Sequence, residues 1–294
     1  MGAEPGEFAG AGAVNGARRG CGPGGWRTYH RPMNTSLQGK RALVCGSTAG
    51  IGRACAAELA ACGASVTLLA RDKAKLEATL ATLARGEGQE HDVLVADFTD
   101  PLGLRRVVNE SLAEARPYHV LINNTGGPAG GTAVDAPVEQ YIGAFMSHVV
   151  AGQHLVQLLV PQFRAAGYGR IVNIISTSVK QPIPNLGVSN TIRAAVANWA
   201  KTLSAELGGF GITVNNVLPG YTRTERLGSL IAARAKSRGV EPAVIEKEFL
   251  ATIPAGRFCE PEETAAAVAF LASPAAGYIN GINLPVDGGR LGCL

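Results

Sequence analysis

Charge is scarce in this chain: 17% of its 294 residues are Asp, Glu, Lys or Arg, and they sum to +4. Aromatics make up 5%, and no run of Lys and Arg is interleaved with them. That combination lacks the basic stripe and stacking platform of a nucleic-acid binder, so the charges read as a scattered solvated surface. The six cysteines (Cys21, Cys45, Cys55, Cys62, Cys259 and Cys293) include no Cys-x-x-Cys pair, and no His stands at metal spacing from them. They read as free thiols of a reducing compartment, the cytoplasm, with no metal site. Long apolar runs are missing too. The most apolar helical stretch, near His148 to Val160, is interrupted by His and Gln and is expected to be shorter than the roughly 20 residues of a membrane span. Residues 1–32 lack the apolar core of a secretory signal.

What is present is a well-buried globular composition, 46% hydrophobic with a mean hydropathy of +0.12. Large α/β sheets commonly reach about 250 residues without splitting, so one domain accommodates the chain. Nine glycines fall within the first 25 positions, and residues 1–36 are expected to form a disordered tail. Met33 offers an alternative start just ahead of the first strand. From Arg41 onward, short apolar runs alternate with helical patterns. Strands are expected at 42–45, 65–70, 92–96, 119–123, 170–175, 212–217 and 282–286. Helices are expected at 51–62, 72–84, 101–114, 138–165, 189–207 and 261–271, with an irregular and helical insertion over about 221–257. Near-continuous apolar strands alternating with helices predict a single α/β domain over 37–294, a Rossmann-like doubly wound parallel sheet.

Gly46-Ser47-Thr48-Ala49-Gly50-Ile51-Gly52 links the first strand to the first helix. Glycines at such a turn let the backbone approach a pyrophosphate, whose charge is stabilised by the free N–H groups and the helix dipole. The spacing is Gly-x3-Gly-x-Gly, and no Gly-Lys-Ser/Thr follows, so a P-loop is excluded. The second strand ends at Ala70, where an NAD site would place a carboxylate; Arg71 stands next instead. A guanidinium there suits the 2′-phosphate of NADP(H) in preference to NAD(H). A surface arginine paired with Asp72 or Glu77 is the alternative. Asp97, beside Phe98 at the end of the third strand, is placed to reach the adenine edge. The turn holding Asn124 and Gly126 follows the fourth strand, at the end where open α/β sheets bind ligands. A strand then delivers Ser176, a Pro-rich loop follows, and Ser189 and Arg193 sit four apart on one helical face.

Together these motifs resemble the classical branch of the short-chain dehydrogenase/reductase family over residues about 37–290. The matches are Gly46-x3-Gly50-x-Gly52, Asp97, Asn123-Asn124-x-Gly126, Ile171-Val172-Asn173 before Ser176, Asn215-x-Val217-x-Pro219-Gly220 and Val286-Asp287-Gly288-Gly289. Thr125-Gly126-Gly127-Pro128 and the loop after the serine are similar to a subgroup of 3-oxoacyl-carrier-protein reductases. The resemblance implies cofactor contacts from Pro219, Gly220, Thr222 and Thr224 and a cofactor-ribose contact from Arg193. It also implies a catalytic Ser-Tyr-Lys set with an Asn on the preceding helix. Here Ser176 takes the first place, Ser189 the Tyr position, Arg193 the Lys position, and His148 falls near the Asn position; Cys45 replaces the usual Thr.

A serine hydroxyl is no practical acid near neutrality, and an arginine does not shuttle protons. The proton is then expected from His148, which titrates in the right range, from Tyr221 beside the nicotinamide, from Lys180, or from an ordered water. Two functions follow: an NADP(H)-dependent reductase of a small carbonyl compound with a non-Tyr proton source, or a cofactor-binding protein without hydride transfer. Family members pair helices across two-fold axes, which implies a homodimer or homotetramer. The stripe Ile192, Val196, Trp199, Leu203 and Leu207 reads first as core.

Overall fold

The computed structural model describes residues 32–114 and 117–293. The expected glycine-rich tail therefore lies almost wholly outside the described residues. In chain order the elements are β1 (Arg41–Cys45), α1 (Gly50–Ala61), β2 (Ser65–Ala70), α2 (Lys73–Leu80), β3 (Asp92–Val95), α3 (Pro101–Glu114) and β4 (Val120–Asn123). Next come α4 (Val138–Phe145), a π-helical turn (Met146–Val150), α5 (Ala151–Ala166), β5 (Gly169–Ile174), α6 (Gly187–Leu207) and β6 (Ile212–Pro219). The chain continues through α7 (Glu225–Arg238), α8 (Pro242–Ala251), α9 (Pro261–Ala272) and β7 (Asn283–Val286). Among the described residues the sheet has seven strands, ordered β3-β2-β1-β4-β5-β6-β7 and paired in parallel throughout.

Alternation along the strands sends side chains to two cores. Ala42, Val44, Val66, Leu68, Val120 and Ile122 pack under α1 and α9. Leu43, Leu69, Leu121, Ile171 and Val214 pack against α3, α5 and α6 on the other face. Both faces are thus dry, which is why the central strands read as unbroken apolar runs. The stripe on α6 is core: Ile192, Val196, Leu203 and Leu207 are buried.

The parallel register also stacks four asparagines. Asn123 pairs with Asn173, Asn173 with Asn216, and Asn216 with Asn283 on adjacent strands. Their amides form a chain, Asn123 Nδ2 donating to Asn173 Oδ1 (3.2 Å), Asn173 Nδ2 to Asn216 Oδ1 (2.9 Å) and Asn216 Nδ2 to Asn283 Oδ1 (2.9 Å). Buried amides are tolerated because each satisfies the next.

Four expectations change or sharpen. The helix expected over 72–84 ends at Leu80, where Thr82 Oγ1 donates to the Thr79 carbonyl and gives the backbone a competing turn. The long helix expected over 138–165 carries a π turn at Met146–Val150 in place of uniform α-helix. The stretch expected to be too short for a membrane is part of a continuous helical run, Val138–Ala166, long and apolar enough at a mean hydropathy of 1.2 to cross one. Leu155, Leu159 and Phe163 within it are fully buried in the core described above. The insertion expected over 221–257 resolves into α7 and α8, joined by their own cluster of Leu227, Ile231, Ile245, Phe249, Ile253 and Phe258.

Candidate active site

The carboxyl ends of the strands open into a cleft of about 670 Å³, a size usual for a cofactor site. The glycine turn forms its floor. Gly46 has φ +58°, and a Cβ on Gly52 would stand 2.1 Å from the Gly46 carbonyl oxygen, so the loop closes backbone on backbone. Helix α1 then begins at Gly50 with no side-chain cap on its first turn and no acidic residue there. Its free N–H groups fit a phosphate. Asn124 Nδ2 holds the turn from β4, donating to the carbonyls of Cys45 (3.2 Å) and Gly46 (3.3 Å). Gly46, Thr48, Gly50, Ile51, Gly52, Asn124 and Gly126 all line the cleft. Ser47 does not: it is fully buried, and its hydroxyl donates to the Leu69 carbonyl of β2 at 3.4 Å.

At one end of the cleft stand Arg71, Asp97 and Phe98. The Arg71 side chain is 79% exposed, and its nearest carboxylate is Asp97 at 4.0 Å. Asp72 pairs instead with Lys75 and Glu77 with Lys73, so the surface pairing weighed for Arg71 is not the one formed. Asp97 accepts from the Thr99 N–H at 2.9 Å, and that bond, helped by Arg71, holds its carboxyl below the usual range. The residues fit a nucleotide carrying a 2′-phosphate: Arg71, exposed and only loosely paired with Asp97, offers a guanidinium fork where a ribose-binding carboxylate would otherwise repel it.

Ser176 follows β5 as the cap of a short 3₁₀ turn, its Oγ accepting from the Ser178 N–H at 3.1 Å. The hydroxyl hydrogen is left for a ligand. Ser189 and Arg193 share one face of α6 and line the same cleft, each about nine-tenths buried. No partner for the Ser189 hydroxyl is present among the described residues. Arg193 Nη1 donates to the Ile174 carbonyl at 3.0 Å, tying α6 to the end of β5.

His148 corrects an expectation. It lies in the π turn, 5% exposed, where burial and then the positive Arg193 push its imidazole down to about 3. A hydrogen bond to the Gly126 backbone opposes that shift without cancelling it. The ring is neutral at physiological pH and braces the Asn124–Gly127 loop; it is not a group that titrates there. Lys180 is half-buried and off the cleft wall.

Pro219, Gly220, Tyr221, Thr222 and Thr224 reach the cleft from the end of β6. Thr224 caps α7, accepting from the Leu227 N–H at 3.4 Å, and its methyl would lie 3.0 Å from a Cβ on Gly50. The loop therefore lies over the glycine turn. Tyr221 stacks on Phe249 with centroids 4.3 Å apart and planes 5° apart. The Arg290 guanidinium covers its ring at 4.6 Å, and its hydroxyl accepts from Arg290 Nη2 at 3.4 Å. Two cleft arginines, Arg226 and Arg290, escape sequence reading because their partners lie far along the chain. Arg226 crosses from α7 to bond the carbonyls of Gly127 and Pro128.

Comparison with known proteins follows the same lines. A family model described as enoyl-(acyl carrier protein) reductase matches residues 46–290. The chain is similar to the 3-oxoacyl-acyl-carrier-protein reductase FabG of Haemophilus influenzae, 34% identical over 256 residues that cover 86% of this chain and 98% of that protein. It is also similar to the NADPH-dependent reductase BacG of Bacillus subtilis, 30% identical over 253 residues, 86% of this chain and 98% of that one. Among solved structures, the L-sorbose reductase of Gluconobacter frateurii complexed with NADPH and L-sorbose matches with a TM-score of 0.83 and 31% identity, covering 89% of this chain and all of that one. With the glycine turn, the strand order and Ser176 in place and these matches spanning almost the whole described chain, the protein belongs to the short-chain dehydrogenase/reductase family.

Proposed function

We propose that the protein is an NADP(H)-dependent oxidoreductase that reduces a ketone or related carbonyl without a tyrosine proton donor. The observation that carries this reading is the convergence of Ser176, Ser189 and Arg193 with the glycine turn and Arg71 on one cleft. Gly46 to Gly52, Arg71, Asn124, Thr222 and Thr224 would hold the dinucleotide, which supplies the hydride when bound. The NADPH named for BacG and for the sorbose reductase complex supports the same cofactor.

Ser176 donates a hydrogen bond to the substrate oxygen, and the unpartnered Ser189 hydroxyl gives a second. Both are aimed at charge that grows as the carbonyl becomes an alkoxide, the situation in which fixed donors contribute most. Arg193 stays cationic and stabilises the same developing charge. The proton reaches the alkoxide from solvent through a water ordered by the two serines, the hydroxide left behind being neutralised by a bulk proton, so the serines are not net donors; His148 is neutral. The protein works in the cytoplasm as a homodimer or homotetramer. The exposed apolar row Val138, Ile142, Phe145 and Met146 along α4 and the π turn supports an assembly, and light scattering of the purified protein should give two or four times the 30.3 kDa chain mass.

The direct test is NADPH oxidation against a panel of ketones and enones. Ser176→Ala should lower kcat about 10²-fold, the usual effect of losing one oxyanion donor. Unchanged turnover would remove Ser176 from the chemistry. The replaced Tyr and Lys positions favour a second reading, a protein that binds the cofactor without hydride transfer. Tight NADPH binding with no oxidation of it, in the wild type and in the Ser189→Tyr, Arg193→Lys variant alike, would favour that one.

A further inference from the structure

Arg193 and Arg226 come from different elements, α6 and α7, and meet at one point. A Cβ built on Gly127 would stand 3.5 Å from Arg193 Nη2 and 3.2 Å from Arg226 Nη2. Arg193 is 9% exposed, and its one printed bond uses Nη1, leaving Nη2 toward this spot. Arg226 Nη1 donates to the Gly127 carbonyl and Nη2 spends one of its two hydrogens on the Pro128 carbonyl, leaving its second for a ligand. Neither guanidinium has an ion-pair partner among the described residues.

Arg193 is buried and Arg226 stands on the solvent side of it. Two like charges brought together repel, and the buried one also loses hydration, a cost that a fold carries when an anion completes the site. Burial and then Arg226 push the Arg193 guanidinium down to about 10, and burial lowers Arg226 as well. Both are still cations at neutral pH. The other cleft arginines are occupied differently, Arg71 beside Asp97 and Arg290 on Tyr221. The diphosphate of a dinucleotide is addressed by the glycine turn and the start of α1, leaving the Arg193 and Arg226 pair without an anion. Glycine at 127 keeps the spot open, since a side chain there would fill it.

We propose that this pair is a carboxylate subsite, and that the substrate is an oxo acid whose carboxylate lies between Arg193 and Arg226 while its carbonyl faces Ser176. This rests on the reductase reading above for its reacting carbonyl. Paired guanidinium donors match the two oxygens of a carboxylate and discriminate against a neutral ester of the same shape.

The test uses the full chain saturated with NADP+, which cannot reduce the ligand during the measurement, and calorimetric titration of pyruvate, acetoacetate and levulinate, each against its methyl ester. At least one acid should bind about 10-fold or more tighter than its ester, as expected for charge-assisted bonds. That preference should fall to about 2-fold or less in Arg226→Gln and be largely kept in Arg226→Lys. Because Arg226 also bonds the loop, a second variant addresses the spot without removing a guanidinium: Gly127→Asp supplies an internal carboxylate and should abolish or invert the acid preference. Equal binding of acid and ester in all three pairs, or a preference untouched by both Arg226→Gln and Gly127→Asp, overturns the subsite. An Arg226-dependent preference for an acid with no NADPH oxidation would uphold the subsite and overturn the reductase reading. Turnover of ketones and esters with no acid preference would do the reverse.

Discussion

In the proposed function Ser176 and Arg71 mark the two ends of the chemistry, one offering a hydrogen to a carbonyl oxygen and the other a charged fork to a phosphate. Arg71 is mostly solvated, so its effect belongs to ligand binding and not to stability. Arg71→Ala should weaken NADPH binding about 10- to 100-fold, the range of a lost charge-assisted contact. NADH binding should change little. Fluorescence titration with both nucleotides reads this directly, and an equal loss for each would place the 2′-phosphate elsewhere. Ser189 and Arg193 illustrate how residue identity limits mechanism. One hydroxyl with a free hydrogen and one permanent cation can stabilise negative charge, but neither can deliver a proton at neutral pH.

Among the elements, the middle strands do more than support the cleft. Asn173 on β5 both accepts from Asn123 and donates to Asn216, so the amide chain links β4, β5 and β6 just below Ser176. Asn173→Val removes the central amide and leaves a buried donor on one side and a buried acceptor on the other. Each unsatisfied group costs about 1–3 kcal/mol, so a loss of about 2–4 kcal/mol is expected in urea unfolding. A loss below about 0.5 kcal/mol would mean that the neighbours find other partners. The π turn between α4 and α5 works at the same scale. It turns His148 inward onto the Gly126 carbonyl side of the loop, and π turns of this kind recur at functional sites.

At the scale of the molecule, His148 couples folding to pH. Its folded-state pKa of about 3 lies below the ordinary 6.5, so between those values the unfolded chain binds the extra proton. The contribution to stability is complete above about pH 6.5 and declines as pH falls toward 3. At about pH 5 the deficit from this one group is about 2 kcal/mol. Asp97, held below its usual range, acts in the same direction. Denaturant unfolding of the wild type and His148→Asn, near pH 7.5 and near pH 5, should show a pH-dependent loss smaller by about 2 kcal/mol in the variant. Equal losses would mean that the buried imidazole ionises normally.

The sequence by itself determined whatever depends on near neighbours along the chain. Apolar runs and helical spacing located every strand of the sheet to within a residue or two, β2 at Ser65–Ala70 included. The Gly46–Gly52 spacing and the arginine after β2 singled out residues that the structure gathers on one cleft. Tertiary structure decided what depends on distant residues. Ser47 is a loop residue in sequence, but its hydroxyl faces β2; His148 is a titratable helix residue, but burial and Arg193 hold it neutral. The asparagine chain exists because parallel register sets four strands level, and Arg226 reaches Gly127 because α7 folds over the strand ends. Periodicity reports which face of an element is apolar. It does not report which other element will cover that face, and desolvation, register and the meeting of two charges all follow from that covering.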